Sequence, residues 1–321
     1  MVSYGRLAAA VLFVLTGVAA QGAPEPELTW HRVEGRSLTL KRGDEVVWTF
    51  HYGDERAKPC FHPLALPGGR VLTVDQPADH VWHHGLWFSW KYIDGVNYWE
   101  NDRKTGRPVG RTTWKVKKLE TKKNGSATIE LDVSYAPPDG AAVLVEKRVI
   151  EMVAPAEDGA FGITWNAKFT ARAACKLDRT PLPGEKGGQP FGGYAGLSLR
   201  LAQLEERDAM TSQGPVQWNK QNRFRGEARA FDYQGKLAGE EVGVAIIDHG
   251  ANPRSPTPWY AIRSSNMTFF SPAVLCREPL TMEKGETLHL RYLVLVHSGH
   301  FDQQQLGLKT ALFPRSSENP R

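Results

Sequence analysis

Histidines cluster in one short stretch of the chain, between Cys60 and Glu100. Four of the ten histidines lie in it, and the catalytic candidates are His80, His83, His84 and the carboxylate of Glu100. An imidazole titrates near neutral pH, so a histidine beside a carboxylate is suited to general acid and base catalysis. We therefore expect proton transfer or direct substrate contact from this cluster.

The same cluster permits two other interpretations. Imidazole and carboxylate groups are common metal ligands. A divalent metal cofactor could therefore be held by a subset of His62, His80, His83, His84 and Glu100. The spacing matches no standard metal site, and adjacent residues of a strand point to opposite faces. In the third interpretation the histidines only cap turns and hydrogen-bond backbone groups. The residues alone leave all three open.

Tryptophans lie beside these histidines. The chain contains 10 Trp, of which Trp82, Trp87 and Trp99 are flanked by His or Glu. An aromatic face can pack against the CH-rich face of a sugar ring, while polar neighbours bind the hydroxyl groups. Many Trp of a β-sandwich lie in its core, but these three are candidates for a cleft that binds a carbohydrate ligand.

Two further loops have the composition of pocket walls. Residues 247–259 combine polar side chains with three prolines, and residues 191–196 combine aromatic residues with glycines that permit close backbone approach. Either loop could equally be an ordered connector. With the histidine stretch, they supply the substrate-binding candidates: His62, Trp87, Trp99, Tyr194, Asp248, His249, Arg254 and Trp259.

Short runs that alternate apolar and polar residues dominate the rest of the chain. Such runs, bounded by Gly, Pro, Asn and Asp, are typical of β-strands joined by tight turns. They predict a hairpin over 38–52, a meander over 112–170 and a central strand over 287–297. Helical periodicity is confined to 202–207 and 303–311. We therefore predict an all-β fold in which two large antiparallel sheets stack face to face, a β-sandwich or supersandwich.

The ends of the chain have a different character. A basic start is followed by an apolar run over 7–20 that ends in small residues, as in a cleavable signal peptide. We expect cleavage near Ala20 and an exported protein, periplasmic or secreted, with no membrane span in the mature chain; an uncleaved anchor is the alternative. The expected division is a signal peptide over 1–20, an extension over 21–37, the sandwich over 38–312 and a flexible tail over 313–321.

Composition excludes several functional classes. The chain carries 40 basic and 35 acidic residues, and because they are interspersed there is no clustered basic face for nucleic acid. Nucleophile-elbow, phosphate-loop, dinucleotide and zinc-protease motifs are all lacking. The three cysteines fit neither a disulfide framework nor a zinc knuckle. One disulfide with a free thiol, or three buried thiols, both agree with their spacing.

The motifs recur in an order that resembles a known family. Phe61-His-Pro, the stretches 79–87 and 97–100, and the stretch 248–254 look like a family of exported bacterial proteins labelled methane oxygenase-like. The resemblance covers the chain after about Leu38. Genes of such a family often accompany sugar oxidoreductases and isomerases, which implies carbohydrate catabolism. A membrane-embedded oxygenase subunit is a poor physical match, because no segment after the first twenty residues is long and apolar enough to span a bilayer.

The His-Gly-Leu-Trp segment and the last strand are also similar to galactose-mutarotase-like supersandwiches. That resemblance implies a histidine and a carboxylate acting on a sugar from a concave sheet. The expected function is thus an exported enzyme acting on a sugar or glycoside, of epimerase, lyase or hydrolase type. A non-catalytic carbohydrate-binding module is the alternative, and it would not require the histidines to converge with a carboxylate.

Overall fold

The computed structural model describes residues 26–313. Strands make up 51 % of the protein and helix 3 %, and every strand pair is antiparallel, which confirms the all-β prediction. The expected signal peptide and nearly all of the expected tail lie outside the described residues. Within residues 26–313, no helix is long and apolar enough to cross a membrane.

The strands of the first half of the chain are β1 (Leu28–Val33), β2 (Ser37–Arg42), β3 (Glu45–His51), β4 (Cys60–Leu66), β5 (Arg70–Val71), β6 (Leu86–Ser89), β7 (Tyr92–Ile93), β8 (Val96–Asn97), β9 (Arg111–Thr121), β10 (Ala127–Ala136), β11 (Leu144–Met152) and β12 (Phe161–Ala171). Those of the second half are β13 (Cys175–Asp178), β14 (Gly196–Leu201), β15 (Glu205–Thr211), β16 (Gly214–Pro215), β17 (Arg223–Phe224), β18 (Ala230–Leu237), β19 (Glu240–Asp248), β20 (Trp259–Ser264), β21 (Met267–Pro272), β22 (Leu280–Met282) and β23 (Thr287–Ser298). The single helix of the described chain is α1 (Gln303–Leu312).

These strands form two large sheets and one small one. The larger sheet has ten strands in the order β1-β2-β3-β4-β6-β14-β21-β20-β17, with β5 paired to β4. The second has nine strands in the order β16-β15-β18-β19-β23-β12-β11-β10-β9. A four-stranded sheet, β22-β13-β7-β8, completes the fold. The predicted meander is β9 to β12, and the predicted central strand is β23, which pairs with β12 and β19.

The main core lies between the two large sheets. On β10 and β11 alternate side chains are buried, as expected for strands with one face on a core. Strands β6 and β14 are buried on both faces, so the ten-stranded sheet is covered on its outer side as well. On β20, Trp259 belongs to the main core, whereas the next residue, Tyr260, belongs to a second cluster on the outer face. That outer cluster is where the site lies.

Some details differ from the sequence-based expectation. The helix expected over 202–207 is wrong, because Glu205–Thr211 is a strand, β15, that pairs with β18. A run of six residues is too short for its periodicity to outweigh pairing with a neighbouring strand. Strand β1 lies within the stretch expected to be an extension and forms an edge of the ten-stranded sheet. The three cysteines are all buried and free.

Candidate functional site

A cavity of about 380 Å³ lies on the outer face of the ten-stranded sheet. Its lining comes from the loops 79–83, 97–100 and 191–194 and from strands β17, β20 and β21. The lining residues are His80, Trp82, His83, Trp99, Glu100, Phe191, Tyr194, Arg223, Tyr260, Ile262, Met267 and Phe269. A larger and more open depression of about 730 Å³ borders β9 but shares none of these residues and has no histidine in its lining.

The histidine loop is closed at its base by a bridge between Asp75 and His84. Two turns shape its tip, since the His80 amide donates to the Pro77 carbonyl and the His83 amide to the His80 carbonyl, both at 2.9 Å. Gly85 then returns the chain to β6 with φ of 65°, and a Cβ there would lie 2.2 Å from the backbone oxygen of Phe61. Only glycine fits this position, which explains the glycine that follows the histidine pair.

His80 is held by a carboxylate. Its Nδ1 lies 3.0 Å from Oδ2 of Asp79, and Arg200 donates from NH2 to the same carboxylate at 3.0 and 3.2 Å. Burial opposes ionisation of Asp79, but hydrogen bonds from Arg200 and His80 outweigh it and lower the pKa of Asp79. An ionised carboxylate only accepts, so Nδ1 of His80 donates to it, and in the neutral tautomer of the ring the lone pair lies on Nε2. His80 thus has the arrangement of a general base.

His83 is held in the opposite sense. The guanidinium of Arg200 reaches its Nδ1 at 3.3 Å, and because arginine can only donate, Nδ1 accepts. Burial lowers the pKa of His83 well below its ordinary value, with smaller contributions from the charges of His80 and Arg200. The ring is therefore neutral with its proton on Nε2. His80 and His83 stack with centroids 4.7 Å apart, so a proton acceptor and a proton donor line one cavity side by side.

Glu100 is the carboxylate of the cavity lining. Its Oε1 accepts from the Tyr194 hydroxyl at 2.7 Å, and Oε2 accepts from Asn97 at 2.7 Å and from the ammonium of Lys91. Burial opposes its ionisation, but the charge of Lys91 and these hydrogen bonds prevail and lower the pKa of Glu100. Glu100 is thus an ionised acceptor with a side chain that is 23 % exposed.

The turn that carries Glu100 is built by Asn97. The Asn97 side-chain oxygen accepts from the amides of Trp99 and Glu100 at 2.7 and 3.2 Å. Lys58, which is buried, donates from Nζ to the Trp99 carbonyl at 2.8 Å. Burial lowers the pKa of Lys58 to about 7. These contacts explain why Asn-Tyr-Trp-Glu forms a rigid corner rather than a longer strand.

Aromatic rings surround the polar groups. The His83 ring packs on Phe269 at 5.2 Å and on Trp87 at 5.1 Å, and Trp99 contacts Tyr194 at 5.0 Å. Trp87 is fully buried beneath the lining, so it supports the cavity without forming its surface. A cavity with aromatic walls and a few fixed donors and acceptors has the composition of a small-molecule site.

His84 faces away from the cavity, as the residue next to His83 in an extended segment must. Its Nδ1 lies 3.1 Å from Asp75, and its Nε2 is buried without a partner among the described residues. Ligand atoms of Cys60, Asp75 and His84 lie within 4.8 Å of one another, close enough to share a metal ion. Arg56 pairs with Asp75, and burial raises the pKa of the Cys60 thiol to about 12. Both features oppose cation binding there.

The remaining sequence candidates do not meet at the cavity. His62 bonds to Thr73 at 2.9 Å, and Trp259 donates to the Ala228 carbonyl at 2.9 Å inside the main core. Neither lines the cavity. Strand alternation explains the second case, since Trp259 and the lining residue Tyr260 point to opposite faces of β20.

The polar side chains of the loop 247–259 bond mainly to backbone and side-chain groups of this loop and of the neighbouring 274–279 segment. Asp248 accepts from the Asn252 side chain at 2.7 Å and from the Thr257 amide at 3.2 Å. His249 accepts from the Ala251 amide at 3.1 Å, and Arg254 donates to carbonyl groups of the 274–279 segment. None of Asp248, His249 or Arg254 lines the cavity.

Sequence reasoning missed several residues of the site. Arg200 orients both histidines, Lys91 neutralises Glu100, and Arg223 lines the rim. Arg200 could have been identified from the sequence, because it interrupts the apolar strand β14 and a charged residue buried in a strand requires a partner. No sequence feature marked Tyr260 and Phe269 as site residues, since aromatic residues at alternating strand positions are just as common in a hydrophobic core.

Fold and site together define a β-sandwich protein with a histidine- and aromatic-lined cavity on the outer face of its larger sheet. The chain belongs to the family of unknown function (DUF6807), whose model matches residues 37–308. That description names no activity and does not carry the methane oxygenase-like label. No curated protein is similar enough in sequence to match the chain.

Solved structures of similar layout include carbohydrate enzymes. A putative aldose 1-epimerase from Klebsiella pneumoniae has a TM-score of 0.46 at 9 % identity, covering 88 % of this chain and 84 % of that chain. A heparan sulfate lyase from Pedobacter heparinus has a TM-score of 0.39 at 11 % identity over 82 % of this chain. An α-galactosidase from Geobacillus stearothermophilus has a TM-score of 0.38 at 11 % identity over 86 % of this chain. The chain spans 34 % of the lyase and 41 % of the galactosidase.

Proposed function

We propose that this protein is an exported enzyme that transfers protons to or from a sugar bound in the cavity beside His80 and Glu100. The observation that carries the proposal is the convergence of His80, paired to Asp79, with the ionised carboxylate of Glu100 in one aromatic-walled cavity. A binding module needs aromatic walls and hydroxyl partners but has no use for a base whose tautomer is set by a carboxylate.

The roles follow from the hydrogen bonds. Nε2 of His80 takes a proton from the sugar, and Nε2–H of His83 donates to a sugar oxygen that gains negative charge. Glu100 accepts a sugar hydroxyl and orients the ring, which rests against Trp82 and Trp99. Asp79 stabilises the imidazolium that forms on His80.

This set of groups favours ring-opening or epimerising chemistry and β-elimination over glycoside hydrolysis. Hydrolysis usually employs two carboxylates that face the scissile bond. Glu100 is the only carboxylate among the described residues that line the cavity, while Asp79 is held by Arg200 behind His80. One base and a neutral donor are what a proton abstraction next to a sugar carbonyl or carboxyl group requires.

The test uses purified protein in D₂O with reducing sugars and glycosides, followed by proton NMR. Accelerated anomer exchange shows ring opening, loss of a C–H signal shows epimerisation, and an unsaturated product shows elimination. We expect at least one of these activities, and we expect His80→Asn to remove it. A sugar that binds in the cavity but is never turned over would support the binding module instead.

A divalent metal at Cys60, Asp75 and His84 is the second candidate for the chemistry. In its favour, Nε2 of His84 is buried without a hydrogen-bond partner among the described residues. Against it stand Arg56, whose guanidinium pairs with Asp75, and the burial of the Cys60 thiol, which raises its pKa to about 12. Metal analysis of the purified protein separates this candidate from metal-free acid–base catalysis.

Export is part of the proposal and rests on the apolar run over 7–20. Sequencing the N-terminus of the protein from the periplasm or culture medium tests it directly. We expect Gln21 to be the first residue. A chain that begins at Met1 and stays with the membrane fraction would favour the uncleaved anchor.

A further inference from the structure

Arg223 lines the cavity, and its guanidinium has few hydrogen-bond partners. Its NH1 donates to the Gln221 carbonyl at 3.3 Å, and its Nε is buried with no partner among the described residues. Within residues 26–313, no carboxylate lies within 4 Å of the Arg223 guanidinium. A guanidinium has five donors, and the Gln221 carbonyl and the Tyr260 hydroxyl occupy only part of them, so the others are left for a ligand.

A second arginine stands beside it. The Arg225 guanidinium lies 5.2 Å from the centre of the Tyr260 ring and donates to the Gly192 carbonyl at 3.0 Å. Burial raises the pKa of the Tyr260 hydroxyl, and a hydrogen bond from Arg223 together with the charges of Arg223 and Arg225 opposes that rise. Neither arginine has a carboxylate partner among the described residues, so the charge of Arg225, which lies behind the lining residue Tyr260, adds to that of Arg223 in the lining.

The other charges of the site cancel in pairs. Glu100 is matched by Lys91, and Asp79 is matched by Arg200. The rim arginines are therefore an unbalanced positive charge, and Tyr260 lies next to them in the cavity lining. A partly dry, positively charged wall attracts an anion and discriminates against neutral ligands.

We propose that the sugar bound in this cavity carries a carboxylate, as uronic acids do, and that Arg223 binds it. This inference rests on the proposed function, in that it names the class of sugar. The planar fork of a guanidinium matches the two oxygens of a carboxylate, which fixes the orientation of the ring as well as its position. His80 and His83 then meet the opposite part of the sugar.

The experiment is a titration of the purified protein with D-glucuronate and D-galacturonate, against D-glucose and D-galactose, by isothermal calorimetry. We expect the uronates to bind about 10- to 100-fold more tightly, the range that a hydrogen-bonded charge pair supplies. Arg223→Gln, which keeps a polar but uncharged and shorter side chain, should lower the affinity for the uronates to that for the neutral sugars.

Arg277→Gln is the matched control. Arg277 is half exposed and pairs with Glu227 at 3.6 Å, so its loss removes the same charge near the rim without an unpaired guanidinium. We expect it to keep the preference for uronates. Circular dichroism and melting temperature establish that both variants are folded. If Arg223→Gln does not fold, competition between uronates and their uncharged methyl esters on the wild-type protein makes the same comparison.

The outcomes are distinct. Neutral sugars that bind as tightly as uronates would overturn this inference and leave the proposed function standing. Loss of the preference in Arg277→Gln as well would assign it to general charge and overturn the role of Arg223. A protein that binds none of the four sugars contradicts the sugar-binding cavity itself, and both proposals fall together.

Discussion

Tyr194 donates a hydrogen bond to Glu100 at 2.7 Å, although the two residues are 94 positions apart in the chain. This bond joins the glycine-rich loop to the corner that follows β8. It holds an ionised carboxylate in the cavity that the histidine loop also lines. Each loop by itself would be an ordinary connection between strands.

Replacing His80 separates catalysis from folding. We expect His80→Asn to lower turnover by about 10²- to 10⁴-fold, because a general base contributes that much to a proton transfer. The free energy of unfolding should change by less than about 1 kcal/mol, since the His80 side chain is 31 % exposed. Turnover and urea unfolding, measured on the same preparation, check the two expectations. His300→Ala, at an exposed histidine, is the control. Normal turnover in His80→Asn would exclude His80 as the base.

Replacing Glu100 should lower both turnover and the free energy of unfolding. Glu100→Gln leaves the ammonium of Lys91, whose side chain is 4 % exposed, without its counter-charge. We expect a loss of about 1–3 kcal/mol in the free energy of unfolding, together with loss of turnover. The double variant Lys91→Met with Glu100→Gln removes both charges, so it should recover stability but not activity. Recovery of activity in the double variant would show that Glu100 acts only through Lys91.

Asp248 should make stability depend on pH. Burial raises its pKa from 3.8 to about 6, with hydrogen bonds and the charge of Arg229 opposing that rise. The folded protein therefore holds this proton more tightly than the unfolded chain. As the pH falls from about 6 to about 4, protonation of Asp248 should stabilise the folded state by roughly 3 kcal/mol. Above pH 6 this contribution is constant.

The measurement is urea unfolding of the wild type and Asp248→Asn between pH 7 and pH 4. The difference between the two free energies should grow in favour of the wild type as the pH falls through 6. Other carboxylates, such as Asp79 and Glu100, have lowered pKa values and act in the opposite direction at lower pH, but they are common to both proteins and cancel. Parallel curves would contradict the raised pKa of Asp248.

Metal removal tests the group formed by Cys60, Asp75 and His84. We expect a chelator to leave melting temperature and turnover unchanged, because Arg56 pairs with Asp75 and burial raises the pKa of the Cys60 thiol to about 12. Elemental analysis before and after dialysis is the measurement, and Cys60→Ser is the matched variant. One equivalent of zinc or another transition metal, with activity lost on chelation and restored on its return, would make the metal candidate correct.

Local sequence patterns predicted much of the fold. Alternation in β10 predicted one buried face, which is what β10 has. The apolar run in β23 predicted a central strand, and β23 pairs with β12 on one side and β19 on the other, with buried residues alternating with half-buried ones. The histidine loop was also visible, because its unusual composition lies within one short stretch. Both His83 and His84 were catalytic candidates, although alternation predicts that adjacent residues point to opposite faces; only His83 lines the cavity.

The sequence did not predict which loops lie together at the cavity. The sequence by itself determined the all-β class, the strand-rich meander and the concentration of chemistry in the histidine stretch, because these depend on neighbours along the chain. Only the tertiary structure decided that Tyr194 and Arg223 join His80 at one cavity while Asp248 and Arg254 do not. The reason is that the order β4-β6-β14-β21-β20 is set by packing between distant strands. The placement of a loop depends on that order, which composition and periodicity do not encode.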